Sequence, residues 1–267
     1  MINFTKMHGL GNDYVFIDCT QNKNIISNPQ ILSKKISNRN FGIGSDGLIL
    51  IENSSIADFK MRIFNMDGSE AEMCGNGIRC VGKYVFEHNL TKKTTIEIET
   101  LAGVKKLKLE THNNKVTYVT VDMGTYEISK EININVDNKT FSIIPVSVGN
   151  PHAIIFTNNL LDSEIKNYAP KIECNNYFIN KTNVEFVQVI KPNLIKAIVW
   201  ERGSGFTLAC GTGACACSIA AFEKKLTNNK ITVELPGGYL QTYIDNTNKK
   251  VFMSGEATTV FSGIYYN

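Results

Sequence analysis

The hydrophobic positions of this chain fall mostly into short runs rich in β-branched and aromatic residues and bounded by Gly, Asn and Asp. Such runs predict strands at Ile2–Met7, Tyr14–Cys19, Leu48–Glu52 and Phe59–Phe64, then a meander at Thr94–Glu99, Val104–Leu109 and Val116–Val121. The second half predicts Phe141–Val146, Ala153–Thr157, Val184–Val189 and Lys196–Trp200, followed by Ile231–Glu234, Tyr239–Tyr243 and Val251–Ser254. Helical patterns are fewer. Pro29–Ser37 and Leu160–Ala169 are two. Asn76–His88 and Thr212–Lys225 are the others, and both are small or apolar nearly all round, the pattern of a buried helix. Each half therefore reads as a mixed, mostly antiparallel β-sheet wrapped around one central helix, an α/β (α+β) class.

The two halves also share a register. Cys74-Gly-Asn-Gly recurs as Cys210-Gly-Thr-Gly 136 positions later, and Phe86-Glu87 falls on Phe222-Glu223 in the same register. Upstream, Asn65 and Glu201 each stand nine positions before their cysteine and each ends an apolar run. Gly11-Asn12 and Gly149-Asn150 form a further pair, 138 apart. Anchors this far apart in nearly one register imply a duplicated domain. The expected division is residues 1–117, completed by a returning C-terminal strand within 256–267, and residues 118–255.

The composition narrows the class. With 267 residues, 43% hydrophobic and 20% charged, the chain is an ordinary globular one, which excludes disorder and fibres. A net charge of +3 without a run of like charges gives no nucleic-acid footprint, so no nucleic-acid partner is expected. The most apolar stretch, Leu208–Phe222, is too short to span a membrane, and the first residues lack the apolar core of a signal peptide; a cytoplasmic location is expected. Seven cysteines in a reducing compartment read as thiols rather than as a disulfide framework. Only four basic residues are arginine, Arg39, Arg62, Arg79 and Arg202, so each is a candidate carboxylate clamp. Gly42-Ile-Gly44-Ser-Asp-Gly47 matches the letters of a dinucleotide fingerprint, but a helical pattern precedes it and a strand follows, the reverse of what that site needs. No cofactor and no metal site is expected.

The chemistry concentrates at Cys74 and Cys210. Each is expected at the N-terminus of a buried helix, where unpaired N–H groups and the helix dipole favour an anion and lower a thiol's pKa. The glycines beside them admit close approach of a ligand to the backbone. Two such sites, one per domain, are expected to face each other across an interdomain cleft, with one thiol on either face of a substrate carbon. That arrangement suits inversion at carbon: one thiolate removes the Cα proton and the other thiol returns one from the opposite side. Spare N–H groups at the helix ends would hold the substrate carboxylate and stabilise the charge developing beside it.

The motifs Lys6-Met-His-Gly-Leu-Gly-Asn-Asp13, Arg62-Ile-Phe-Asn-Met-Asp-Gly-Ser-Glu70, Cys74-Gly-Asn-Gly-Ile-Arg-Cys80, Gly149-Asn-Pro-His152, Glu201-Arg-Gly-Ser-Gly205 and Leu208-Ala-Cys-Gly-Thr-Gly-Ala214 resemble the diaminopimelate epimerase family in order and spacing along essentially the whole chain. The resemblance implies two pseudo-symmetric domains and interconversion of LL- and meso-diaminopimelate without pyridoxal phosphate. It implies a homodimer acting on a small molecule. It assigns Cys74 and Cys210 as the catalytic thiols and His152 and Glu201 as residues that tune their protonation. Asn12, Asn65, Asn150 and Asn183 become substrate hydrogen-bonders and Arg202 the clamp on the distal carboxylate, with Gly75, Asn76, Gly211 and Thr212 as backbone donors. Two positions depart from other members: Gly47 stands where some have Gln, and Phe206 where many have Glu, which would alter the electrostatics near Cys210.

Other classes remain open on the residues alone. A cofactor-independent racemase of another amino acid would share the thiol pair but not need Arg202, Asn65 and Asn183. A redox switch or metal-binding protein would use the cysteines without Cα–H exchange, and a cysteine hydrolase would leave the duplication unexplained. Cys19, Cys80, Cys174, Cys215 and Cys217 read as structural core residues.

Overall fold

The computed structural model describes residues 1–22 and 26–266 and divides into two compact units, Met1–Val121 with Gly255–Asn267, and Asp122–Ser254. Asn267, the last residue of the expected C-terminal segment, lies outside the described residues.

Unit 1 contains β1 (Ile2–Gly9), β2 (Asn12–Asp18), α1 (Pro29–Ile36), β3 (Gly47–Glu52), β4 (Phe59–Asn65), β5 (Glu70–Ala71), α2 (Gly75–Glu87), β6 (Thr95–Thr100), β7 (Gly103–His112) and most of β8 (Lys115–Thr125). β1 pairs antiparallel with β2, β2 parallel with β3, β3 antiparallel with β4, β4 parallel with β6, and β6, β7 and β8 form an antiparallel meander. β5 is a short antiparallel addition to β4. Helix α2 packs on β1, β2 and β7.

Unit 2 contains β9 (Glu127–Ile128), β10 (Ile132–Val136), β11 (Lys139–Ser147), β12 (Pro151–Phe156), α3 (Asp162–Glu173), β13 (Asn183–Lys191), β14 (Leu194–Glu201), β15 (Gly205–Phe206), α4 (Gly211–Glu223), β16 (Lys230–Leu235), β17 (Gly238–Asp245) and β18 (Lys250–Gly255). Its pairings repeat those of unit 1 from β11 to β18: antiparallel, parallel, antiparallel, parallel, then an antiparallel meander, with β15 on β14 as β5 is on β4. The final strand, β19 (Thr258–Tyr265), returns to unit 1 and pairs antiparallel with β1, Ile2 opposite Tyr265.

Local chemistry accounts for the elements. Asn28 caps α1 by accepting from the Ile31 N–H at 3.0 Å, and Pro29 supplies the preset first turn. The core of unit 1 includes Val15, Leu48, Leu50 and Phe64 from alternating or continuous apolar strand positions. Burying a side chain such as Phe64 completely stabilises by about 1.5–3 kcal/mol. In α4, Gly213, Ala214, Ala216, Ala220 and Ala221 are all buried, and their small size lets β11–β14, β16 and β17 close around the helix.

Two local expectations shift. The helix expected to stop at Ala169 runs through Pro170 to Glu173. Its last turn is held from outside: Ile172 is in the core of unit 2, and Glu173 accepts from Trp200 Nε1 at 2.7 Å and from the Gly203 N–H at 3.0 Å. Those contacts outweigh the hydrogen bond that proline removes. Strand β10 was not expected, although Ile132-Asn-Ile-Asn-Val136 alternates as a half-buried strand should.

Candidate active site

In unit 1, β4 and β5 lead the chain to Cys74, which is extended (φ −138°, ψ 114°) and caps α2 by accepting the Gly77 N–H on its sulfur at 3.3 Å. Asn12, opening β2, faces it: the thiol donates to Asn12 Oδ1 at 3.3 Å, and the same oxygen accepts from Asn76 Nδ2 at 3.3 Å. Asn12 is held in turn by donating to Asp46 at 2.8 Å, and Arg39 bridges Asp13 and Asp46. The buried Tyr14 hydroxyl is a hydrogen-bond partner of Cys74; burial, then the charge of Cys74, pushes the phenol well above its ordinary range. Arg79 is fully buried in α2 and donates to Gly75 O (3.1 Å), Asn76 Oδ1 (2.9 Å) and Glu256 O (3.3 Å).

In unit 2, Cys210 caps α4 in the same way, extended (φ −118°, ψ 117°), with its sulfur 3.4 Å from the Gly213 nitrogen. Around it the polar groups differ. Thr212 Oγ1 lies 3.5 Å from the sulfur and accepts from Asn150 Nδ2 at 3.3 Å. His152 places Nε2 3.1 Å from Asn150 Oδ1 and Nδ1 2.6 Å from Glu185 Oε1. Glu201, at the end of β14, accepts from Thr207 Oγ1 at 2.6 Å and is also a hydrogen-bond partner of Cys210. Burial raises the pKa of Glu201, and of the wholly buried Glu185.

The duplicated register explains which residues meet. Parallel pairing aligns Tyr14 with Gly47 and Phe16 with Ile49 in unit 1, and His152 with Asn183 and Ile154 with Glu185 in unit 2. Tyr14 thus matches His152, and Ile49 matches Glu185. The second glycine of each Cys-Gly-x-Gly turns this match into a contact. A Cβ on Gly77 would lie 2.6 Å from Ile49 Cδ1; one on Gly213 would lie 3.0 Å from Glu185 Oε1 and 3.3 Å from the Cys210 sulfur. These glycines serve close packing of the helix on its strands.

One expectation is overturned. The helix terminus was expected to lower the thiol pKa, yet Cys210 is pushed well above its ordinary value. Burial is the largest cause, followed by the charges of Glu201 and Glu185; the opposing help from Thr212 and the Gly213 N–H is smaller. Burial also takes Cys19 and Cys80 up to about 12 and Cys217 well above its usual range, as for core thiols. Cys174 departs from the core expectation: it is the exposed C-cap of α3.

The remaining expected residues fall as follows. Asn12, Asn76 and Cys74 come together, as do Asn150, His152, Glu201, Thr212 and Cys210. Asn65 ends β4 and donates to Ser69 Oγ at 3.0 Å. Asn183 is buried and spans two backbone groups, donating to Pro151 O and accepting from the Arg202 N–H, both at 2.9 Å. It therefore holds the turn that presents the exposed Arg202, whose Nη1 donates to Asn180 O at 3.0 Å. Gly75 and Gly211 are the buried first residues of their helices, where ladder geometry leaves N–H groups for a ligand. Phe206 stacks edge-on against Trp200, with ring centres 5.2 Å apart. Sequence reasoning missed Tyr14 and Glu185, and it offered Arg79 as a carboxylate clamp, whereas the guanidinium donates to Gly75 O, Asn76 Oδ1 and Glu256 O. The 138-residue offset that pairs Asn12 with Asn150 also pairs Tyr14 with His152, so that signal was present.

Gly47 has a steric reason. A Cβ there would lie 2.2 Å from the Phe64 carbonyl oxygen, which is backbone and cannot swing aside. Gly47→Ala is expected to cost about 1–3 kcal/mol, read as a lowered midpoint in denaturant unfolding. An unchanged midpoint would show that β3 and β4 separate at no cost.

Chemically, each unit presents a sulfur at a helix N-terminus beside groups able to hold or move a proton. Among the described residues no cluster of three His, Cys, Asp or Glu side chains is placed to bind a metal, and no helix is long and apolar enough to cross a membrane.

Comparison with known proteins places this arrangement among relatives. Residues 4–129 and 144–260 match the family model described as diaminopimelate epimerase. The chain is 49% identical to a diaminopimelate epimerase of Methanococcus maripaludis, covering 98% of this chain and 99% of that one. It is 47% identical to one of Acetivibrio thermocellus, covering 98% of each. Among solved structures, a phenazine biosynthesis protein of the PhzF family from Bacillus anthracis superposes with a TM-score of 0.77 at 16% identity, covering 98% of both chains. A probable proline racemase from Agrobacterium radiobacter K84 gives 0.75 at 11% identity over 100% of this chain and 93% of that one. These two likenesses establish a shared fold.

Proposed function

Because this chain belongs to the diaminopimelate epimerase family, we propose that it interconverts LL- and meso-2,6-diaminopimelate by a two-thiol mechanism, an isomerase step in the supply of lysine and peptidoglycan precursors. The observation that carries the mechanism is the repeated setting of Cys74 and Cys210, each capping a buried helix through its sulfur. One sulfur takes the Cα proton and the other gives a proton to the opposite face of the same carbon. Burial and two carboxylates push the Cys210 thiol up, and the two sulfurs exchange acid and base roles between the two directions of the reaction. The first-turn N–H groups of Gly75, Asn76, Gly211 and Thr212 bind the reacting carboxylate and stabilise the charge that builds up as the proton leaves. His152 and Glu201 tune the thiol protonation, while Asn12, Asn65 and Asn150 orient the substrate. Asn183 sets the turn of Arg202, which grips the distal carboxylate. Arg202→Ala is expected to raise KM about 10- to 100-fold with a smaller change in kcat, as loss of a charge-assisted hydrogen-bond pair predicts. A KM unchanged in steady-state assays would remove Arg202 from the site.

The reading is tested by incubating the reduced protein with LL-diaminopimelate in D2O, following the α-proton by NMR and the LL/meso ratio in parallel. Deuterium uptake with inversion is the expected result. Its absence from reduced, folded protein would rule the substrate out. We also place the enzyme in the cytoplasm as a homodimer. Exposed Val260, Phe261 and Ile264 on β19, with Tyr266 beyond it, offer apolar surface for a second copy. Sedimentation equilibrium is expected to give about twice 29.7 kDa, and a mass of one chain would reject the dimer.

A further inference from the structure

Glu185 enters above only as one of the charges that push the Cys210 thiol up, yet it is the most unusual charge in unit 2. It stands mid-strand in β13, is fully buried, and matches the apolar Ile49 of unit 1. One carboxylate oxygen meets His152 Nδ1 at 2.6 Å, and the other is buried with no hydrogen-bond partner. Placing a carboxyl group there is expensive, and the cost is not recovered by complete hydrogen bonding. The group is also connected to the reacting sulfur. From Glu185 Oε1 a continuous chain runs through His152 Nδ1 (2.6 Å), His152 Nε2 to Asn150 Oδ1 (3.1 Å), Asn150 Nδ2 to Thr212 Oγ1 (3.3 Å), and Thr212 Oγ1 to Cys210 Sγ (3.5 Å). A second, shorter connection passes through space at Gly213, where a Cβ would lie 3.0 Å from Glu185 Oε1 and 3.3 Å from the Cys210 sulfur.

We propose that Glu185 is a positioning residue: it holds the His152 ring through Nδ1 so that Nε2 donates to Asn150 Oδ1, and its buried charge sets the pH at which Cys210 exchanges between thiol and thiolate. The proposal rests on the reading of Cys210 as a reacting thiol and adds the group that makes the two thiols unequal. The titratable groups around this pocket are His152 on β12, Glu185 on β13, Glu201 on β14, and Cys210, Cys215 and Cys217 on α4. Glu201 and Glu185 act on Cys210 in the same direction, so removing Glu185 alone leaves one carboxylate in place. Glycine at 213 is then required twice, for packing and for the unobstructed field between carboxylate and sulfur.

The test is the pH dependence of iodoacetamide alkylation at Cys210, followed by peptide mass spectrometry, in wild type and Glu185→Gln. The amide keeps the shape and a bond to the imidazole but removes the charge. The expected result is a midpoint lowered by about one pH unit, hence about tenfold faster alkylation of Cys210 below that midpoint. Alkylation of Cys74 in the same sample is unchanged. The basic limb of the kcat/KM profile moves down with it, and Glu185→Asp keeps the midpoint near wild type. An unmoved Cys210 midpoint in folded Glu185→Gln, with Cys210→Ser inactive, overturns the proposal and leaves the two-thiol reading intact. Full activity in Cys210→Ser overturns that reading itself, and the proposal with it. Should Glu185→Gln not fold, side-chain 13C NMR of the Glu185 carboxyl in the wild type decides: an ionised carboxylate while Cys210 titrates supports the proposal, and a protonated carboxyl there overturns it.

Discussion

Replacing either Cys74 or Cys210 by alanine is expected to lower kcat/KM for LL-diaminopimelate by about a thousandfold or more. In the proposed mechanism each thiol carries one proton transfer of a two-step inversion, and a positioned acid or base is worth about 10²–10⁴ in rate. The two losses should not multiply, because inversion needs both groups in one turnover. The double variant is therefore expected to lie close to either single one. The outcome is read in D2O from α-proton exchange and from the LL/meso ratio. Should one single variant keep near-wild-type inversion, that thiol is not a partner in the reaction. Serine in place of either cysteine keeps the cap geometry, because its oxygen can accept the Gly77 or Gly213 N–H, so activity lost in the serine variants isolates the chemistry of sulfur.

Arg79→Met is expected to have the largest effect on stability. The guanidinium is fully buried and serves the Gly75 and Glu256 carbonyls and the Asn76 amide oxygen. Methionine fills much of the volume but donates to none of them, and each acceptor left in the interior costs about 1–3 kcal/mol. A loss of at least about 3 kcal/mol follows, or roughly 10 °C in the melting temperature. Activity is expected to fall with it, because Asn76 loses the group that orients it toward Asn12 and Cys74. Calorimetry gives the first effect and the epimerase assay the second. A melting temperature within 2 °C or so of wild type would mean that water replaces the guanidinium, as in a wet rather than a dry interior. Gly9 belongs to the same local design: a Cβ at that position would lie 2.8 Å from Arg79 Nη2.

Much of the site is written in local chemistry. A cysteine ahead of Gly-x-Gly and a small-residue helix forms an N-cap wherever that segment folds, because the first N–H groups of any helix need an acceptor. Asn12 opens β2 and Asn150 immediately precedes β12 for a similarly local reason, since each follows a positive-φ glycine, Gly11 or Gly149. Duplication then carries information beyond any single motif, and it points to Tyr14 once His152 is noticed. Other features have no local mark. Glu185 sits in Asn183-Val-Glu-Phe-Val187, a run that reads as an ordinary strand, and nothing in it says that the glutamate faces a helix rather than water. Arg79 lies in a segment whose pattern is that of a buried helix, but which groups its guanidinium serves is set only by the packing of α2.

From the sequence by itself came the repeat, the strand-rich class, the two helices led by cysteine and the family to which the chain belongs. These depend on residue type and short-range spacing, which backbone sterics and hydrogen bonding translate directly into structure. Tertiary structure decided that α3 continues past Pro170, because Ile172 and Glu173 find partners on distant strands. It also decided that burial pushes the Cys210 thiol up although it caps a helix. Desolvation and the fields of Glu201 and Glu185 depend on which residues from separate strands surround the sulfur, and they exceed what the Thr212 hydroxyl and the Gly213 N–H supply.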